Sequence, residues 1–254
     1  MQRTVLAVAL LALLAGCSAL PFGGPPPSDD RAVEAIDAMN DSVDEVDTYR
    51  FELSMRVSAT DRNGRSQTET IAGNGSVDVP AKQSRAVTRL DGRTRHSYVD
   101  GDRAYQECED PWGYAVENAS TDRRWASTTP LHRQLALFER SNVYWRGNRT
   151  LDGNRTVLVV AYPTADTLQS LPDRRRAGGV EVSRWTLENA TARLWVDPDT
   201  NRPVRSKLTL EIEQRGATAT AHMTVRYRDY DEPVDVSIPA AARDDPLRTG
   251  CPGD

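Results

Sequence analysis

Lysine and cysteine are scarce in this 254-residue chain, and long apolar runs are missing. Lysine occurs only at positions 82 and 207, so arginine supplies nearly all of the positive charge. Cysteine occurs at 17, 108 and 251 with no C-x-x-C pair, and His96, His132 and His222 share no spacing that suits zinc. No apolar run approaches the roughly 20 residues that a membrane-spanning helix needs. A G-x-S-x-G elbow and a phosphate-binding glycine loop are both missing. Asp197-Pro198-Asp199-Thr200-Asn201 begins like a calcium loop, but Arg202 replaces the glycine and Leu208 the final glutamate, so a β-turn is expected. No metal, cofactor or catalytic motif therefore supports an enzyme, although a triad assembled in space leaves no mark in sequence. Asp and Glu number 37 against 32 Lys and Arg, and the one basic cluster, Arg174-Arg175-Arg176, reads as a solvated loop. Nucleic-acid binding is not expected from such a balance. Trp112, Trp125, Trp145, Trp185 and Trp195 are scattered rather than grouped as a ligand box.

What is present begins at the N-terminus. Arg3 precedes Val5–Ala15, eleven unbroken apolar residues, which is the layout of a secretory signal. Leu14-Ala15-Gly16-Cys17 resembles a lipobox, the signal for cleavage before a cysteine that receives lipid. The resemblance implies removal of residues 1–16 and a lipidated Cys17; an ordinary signal peptide with Cys17 incidental is the alternative. Pro21 to Ser28 forms no helix or central strand and reads as a tether over 17–30. An exported protein held on the extracytoplasmic face of a membrane is the expectation.

With Cys17 lipidated, Cys108 and Cys251 remain in an oxidising compartment, and a disulfide pinning the C-terminal tail is the simplest use; two unrelated thiols are the alternative. Six N-x-[ST] acceptors begin at Asn40, Asn74, Asn118, Asn148, Asn154 and Asn189, candidates for glycosylation if the exported protein is archaeal, whereas a bacterial source would leave them bare. The arginine-for-lysine usage with abundant Asp and Glu resembles secreted proteins of halophilic archaea.

The hydrophobic pattern predicts an α+β fold. Val33, Ile36, Met39, Val43 and Val46 recur at helical spacing after the acidic cap Ser28-Asp29-Asp30. From Tyr49 the period changes to two: Tyr49, Phe51, Leu53, Met55 and Val57 alternate with polar residues, as in a strand with one buried face. Asp61-Arg62-Asn63-Gly64, Asp91-Gly92, Asp100-Gly101, Asp152-Gly153 and Arg215-Gly216 punctuate further strands. Gly73 and Gly75 predict a bulge or bend. Thr128-Thr129-Pro130 and Thr164 open two short helices, with Leu131, Leu135 and Phe138 on one face. Leu208, Leu210 and Ile212 mark one face of a late strand.

Three stretches, "VDTYRFELSMRV", "YVDGDRAYQ" and "LWVDPDTNRPVRSKLTLEIEQRGATATAHMTVRYRDYDEPVDVSIPAAA", resemble the LolA-like, LppX/LprG-like half-barrel lipoproteins, including uncharacterised haloarchaeal members. Trp195, Asp197, Asp229-Tyr230, Pro233-Val234 and Ile238-Pro239 carry the match, which spans 31–242 and leaves 243–254 as a polar tail. The resemblance implies a strongly curved antiparallel sheet, a half-barrel, with a few helices packed on its concave side. It also implies a non-enzymatic binder or carrier of lipid or another hydrophobic ligand. Val33, Ile36, Val43, Tyr49, Phe51, Leu53, Met55, Val57, Leu208, Leu210 and Ile212 are the candidate ligand-lining residues. The alternative is an interaction or sensor module of an envelope complex whose interior is filled.

Overall fold

Eleven strands form one antiparallel sheet in the computed structural model, which describes residues 26–118, 125–171 and 186–252. The signal segment, Cys17, Trp185 and Arg174-Arg175-Arg176 lie outside the described residues. Helix α1 (Asp30–Asp44) precedes β1 (Thr48–Thr60), β2 (Ser66–Asp78), β3 (Gln83–Leu90), β4 (Arg93–Asp100), β5 (Arg103–Glu107) and β6 (Tyr114–Asn118). A 3₁₀ turn (Trp125–Thr128) and α2 (Pro130–Glu139) lead to β7 (Val143–Leu151) and β8 (Asn154–Ala161). Helix α3 (Ala165–Ser170), β9 (Thr186–Val196), β10 (Pro203–Gln214), β11 (Ala217–Arg228) and α4 (Ala240–Asp244) follow. The spatial order runs β6-β5-β4-β3-β2-β1-β11-β10-β9-β8-β7. Two meanders, β1–β6 and β7–β11, thus meet where the first strand pairs with the last. The sheet is open and curled, a half-barrel.

Local chemistry explains the hairpins. Asp91-Gly92, Asp152-Gly153 and Arg215-Gly216 each form a two-residue loop with both φ positive, the type I′ geometry whose twist suits paired strands. Asp197 opens the β9–β10 turn: its carboxylate accepts the Asp199 N–H and its carbonyl the Asn201 N–H, an i→i+4 bond that makes a wider turn than the β-turn expected there.

Both sheet edges are covered by the chain's ends. At β7, Val143 N–H donates to Ser28 Oγ at 3.0 Å, Trp145 N–H to Asp29 Oδ2 at 2.7 Å, and Asp29 N–H to Val143 O. Asp29 also caps α1 by accepting the Ala32 N–H, so one carboxylate ties the helix to the edge strand. At β6, Leu247 pairs in parallel with Ala115, accepting from Val116 N–H and donating to Tyr114 O, both at 2.8 Å. A disulfide joins Cys108 to Cys251 beside it, with Cα atoms 5.3 Å apart. Such coverage shortens the unpaired edges on which foreign strands would add.

Several expectations change. Strands β6 and β7 carry no clear alternation and were not expected. Gly73 and Gly75 make no bulge, because β2 keeps continuous register with β1 and β3 through both. They provide room instead: a Cβ at Gly75 would lie 2.4 Å from Arg85 O and 2.5 Å from the Phe51 ring. Register shifts occur between Trp145 and Asn148 and on β10 at Pro203/Arg205 and Glu211/Ile212. Thr129 occupies the cap position of α2, but its hydroxyl pairs with His132 Nδ1 rather than capping the helix. Nor do all helices lie on the concave side. Ala242 of α4 and Ile238 just before it pack on Tyr98, Tyr105, Tyr114 and Val116, whose register places them on the face opposite Tyr49. Residues 238–242, the end of the stretch 31–242, thus form a strap across the convex face.

Gly75→Ala is expected to lower unfolding free energy by at least about 1–3 kcal/mol, the usual range for overpacking. Adding Phe51→Leu should not restore it, because the Arg85 carbonyl is backbone. Denaturant titration reporting wild-type stability for Gly75→Ala would contradict this account of the glycine.

Candidate functional site

Strand register assembles an apolar row across the concave face. Directly paired residues share a face, and the pairs Val143–Ala161, Ala161–Ala192, Ala192–Leu208, Leu208–Met223, Met223–Met55, Met55–Ile71 and Ile71–Leu90 link eight strands in sequence. Arg93, paired with Leu90, ends the row. The chemistry is uniform but the cover is not. Val143, Ala161 and Ala192 are buried in the main core, whereas Leu208, Met223, Met55 and Ile71 are half-buried and Leu90 is 40% exposed. Four strand spacings of about 4.8 Å separate Leu208 from Leu90, so the open stretch is about 19 Å long. That compares with the ~15 Å hydrocarbon depth of one bilayer leaflet.

Helix placement explains the gradient. Ala32, Ile36, Met39, Val43 and Val46 of the α1 segment and Leu131, Leu135, Leu137 and Phe138 of α2 are buried in one cluster with Tyr49, Phe51, Val77, Val159, Leu194 and Tyr227. The sheet beyond Phe51 on β1 projects past this cluster. Leu53, Leu208 and Met223 touch it only as partly buried neighbours, and Val57 and Leu210 are half-buried in the next row. Of the candidate lining residues, Ile36, Val43, Tyr49 and Phe51 therefore belong to the closed core, and Ile212 is buried nearer the hairpin tip. Leu53, Met55, Val57, Leu208 and Leu210 form the open part. Val33 is corrected: it is 41% exposed on the outer side of α1, and Ala32 takes its place in the buried stripe. Sequence reasoning missed Met223, Ile71 and Leu90; the hairpin turns fix the register that brings them in, so the signal was in the turns.

Two buried tyrosines set where α2 begins. Leu131 N–H donates to Tyr49 Oη at 3.3 Å, and Tyr227 O–H donates to Pro130 O at 3.5 Å, so both hold the first turn of α2. Tyr230 O–H donates to Pro203 O at 2.7 Å, and its ring and that of Tyr227 each lie 6.2 Å from Tyr49. Burial, the dominant cause, pushes all three phenols well above the usual tyrosine range. Burial likewise holds the His132 imidazole below its usual range, against the opposing pull of Asp44. Among the described residues there is no group of three or more His, Cys, Asp or Glu side chains that could hold a metal ion. No helix among them is long and apolar enough to cross a membrane. Of the six glycosylation candidates, Asn74, Asn118, Asn148, Asn154 and Asn189 are exposed and Asn40 is half-buried.

The sequence matches no protein-family model and no curated protein. Solved structures do match. Lipoprotein LppX of Mycobacterium tuberculosis superposes with a TM-score of 0.50 at 15% identity, covering 83% of this chain and all of that one. LprF of Mycobacterium bovis gives 0.50 at 12% identity, covering 85% of this chain and 100% of that one. The fold is the LppX-like half-barrel. At these identities the likeness extends to architecture alone.

The phenols give a pH dependence. Because the folded values of Tyr49, Tyr227 and Tyr230 are raised, their contribution is fully present below the unfolded value near 10 and is lost as pH rises beyond it. Each contributes a slope of up to about 1.4 kcal/mol per pH unit above pH 10. Tyr227→Phe should lower stability at neutral pH by about 1 kcal/mol and make the alkaline slope shallower. Unfolding curves between pH 8 and 11 that stay parallel for wild type and variant would contradict this.

Proposed function

We propose that the protein is a lipid-anchored extracytoplasmic binder or carrier of a lipid or other hydrophobic ligand, without enzymatic activity. The observation that carries this reading is the half-covered apolar row. One continuous apolar strip is sealed by α1 and α2 at its Val143, Ala161 and Ala192 end and stands half-exposed as Leu, Met and Ile side chains from Leu208 to Leu90. Contiguous exposed apolar surface on a soluble fold marks a binding site. A hydrocarbon chain laid along it would gain about 25 cal/mol for each Å² of apolar area removed from water. The fold likeness to lipoprotein LppX supports an extracytoplasmic setting, as does the lipobox-like LAGC segment at 14–17.

A second reading is favoured by the closed half of the same face. Ile36, Met39 and Val43 are each no more than 4% exposed, so α1 fills rather than roofs its part of the interior. An interaction or sensor module of an envelope complex would present the open half to a protein instead of a lipid.

Native mass spectrometry separates the two. Protein purified without added lipid should carry a hydrophobic ligand, and Met55→Glu with Leu208→Glu should abolish it while the melting temperature changes little, since both sites are half-exposed. Ligand-free protein that also fails to bind a fluorescent fatty acid would remove the carrier reading. For the anchor, Cys17→Ser should yield unprocessed precursor or protein shed into the medium. A variant that fractionates and migrates as wild type does would show the lipobox reading to be wrong.

A further inference from the structure

The tether does not leave the folded domain at α1. Pro26 O accepts hydrogen bonds from Asn142 Nδ2 at 3.0 Å and from the Tyr144 hydroxyl, while Ser28 and Asp29 are bonded to the β7 backbone. The chain is therefore fixed to the sheet's β7 edge back to Pro26. Only eight residues lie between Pro26 and Cys17, and the nine steps that join them span at most about 32 Å. The opposite edge, β6, lies ten strand spacings away, about 48 Å of arc around the curled sheet, and among the described residues no contact joins it to the Pro26–Asp29 segment. Whatever surface holds Cys17, the β7 edge is the part of the domain kept beside it at high effective concentration.

That edge carries an unusual pairing of aromatic rings and arginines on both of its faces. Tyr144 and Tyr162 pack with ring centroids 5.5 Å apart and ring planes tilted by 54°, and the Arg146 guanidinium lies 5.4 Å from the Tyr144 ring centroid. On the other face the Arg31 guanidinium lies 4.1 Å from the Trp145 ring centroid. Arg31, Arg146 and Tyr162 are exposed. Amphipathic Tyr and Trp rings favour the headgroup layer, and arginine beside them is drawn to anionic headgroups. Asp30 and Glu34 share the first turns of α1, so the arginines supply local contacts rather than a broad positive field.

We propose that the β7 edge, with Arg31, Trp145, Arg146 and Tyr162 grouped around the buried Tyr144 ring, is a membrane-contact surface that seats on the anionic phospholipid headgroups of the bilayer carrying the anchor. It rests on the anchoring reading, and it fixes an orientation: the sealed end of the apolar row meets the bilayer, while Leu90 and Arg93 face away.

Hydroxyl-radical footprinting of the full-length processed lipoprotein tests this with an internal control. Tyr162, 37% exposed beside the tether, is the reporter; Trp112, 51% exposed in the loop between β5 and β6, is the reference on the far wing. On vesicles of phosphatidylcholine with phosphatidylglycerol, the Tyr162-to-Trp112 oxidation ratio should fall severalfold relative to protein in detergent. Arg31→Glu with Arg146→Glu should restore the detergent ratio while the protein stays on the vesicles through a high-salt wash. Unchanged near-ultraviolet circular dichroism establishes that this variant is folded. If wild type survives the wash but its ratio matches that in detergent, the contact surface is wrong and the anchor stands. If wild type washes off, the anchoring reading fails and the orientation fails with it.

Discussion

The pairing of β1 with β11 is the interaction on which the architecture depends. It runs in unbroken register from Arg50–Arg228 to Thr60–Thr218 and joins two meanders that otherwise share no strand pairing. Every other strand pair is local in its own meander, whereas this one closes nearly the whole chain, and the loop-closure entropy must be recovered in one seam. The seam is strengthened where it meets the core. Tyr49 and Phe51 on β1 and Val225 and Tyr227 on β11 are all buried, and the tyrosines extend from the seam to the first turn of α2. Directly after β11 the chain turns back: Asp231 N–H donates to Thr48 O and Arg50 Nη2 to Pro233 O, which secures the start of the strap to the first strand.

An open sheet this wide has to cover two faces and two edges with few helices, and it divides the work unequally. Helices α1 and α2 cover the concave face of β7–β9, β11 and the base of β1. The strap with Ile238 and α4 covers the convex face of β4–β6. The edges are closed by the residues entering α1 and by Leu247 after α4, so both chain ends are used as edge strips. Coverage on the convex side in the β4–β6 wing leaves its concave side without a described helix, which is why the apolar row becomes more exposed towards β3.

Strict alternation in β1 and the two-residue D-G and R-G turns made most of the sheet legible, since each such turn admits one hairpin register. The stripe of α1 was legible too, apart from Val33: helical spacing alone does not tell a core position from its neighbour one turn-angle away, and small Ala32 gives little hydrophobic signal. Strands β6 and β7 were not legible because YAVEN and VYWRGNRTL draw stability from tail and tether rather than from a buried alternating face. The convex cluster was missed because Tyr98, Tyr105 and Tyr114 face a strap more than a hundred residues away. The glycines at 73 and 75 show the limit of local reasoning. Their need for space comes from Phe51 and Arg85 on neighbouring strands.

The residues on the open part of the row favour a ligand over an unfinished core. The chain holds four methionines, and one is the initiator. Met39 lies in the sealed core, where it is fully buried. The other two, Met55 and Met223, are cross-strand partners at the centre of the half-buried stretch. Branched side chains with few rotamers specify one packing, and the sealed part is built of them: Val143, Val159, Leu131, Leu135 and Leu194. Unbranched, polarisable methionine specifies packing poorly and adapts well to surfaces that change shape. Hydrocarbon of variable length and conformation suits such a residue, and in the described structure the methionine pair sits where the helices stop covering the sheet.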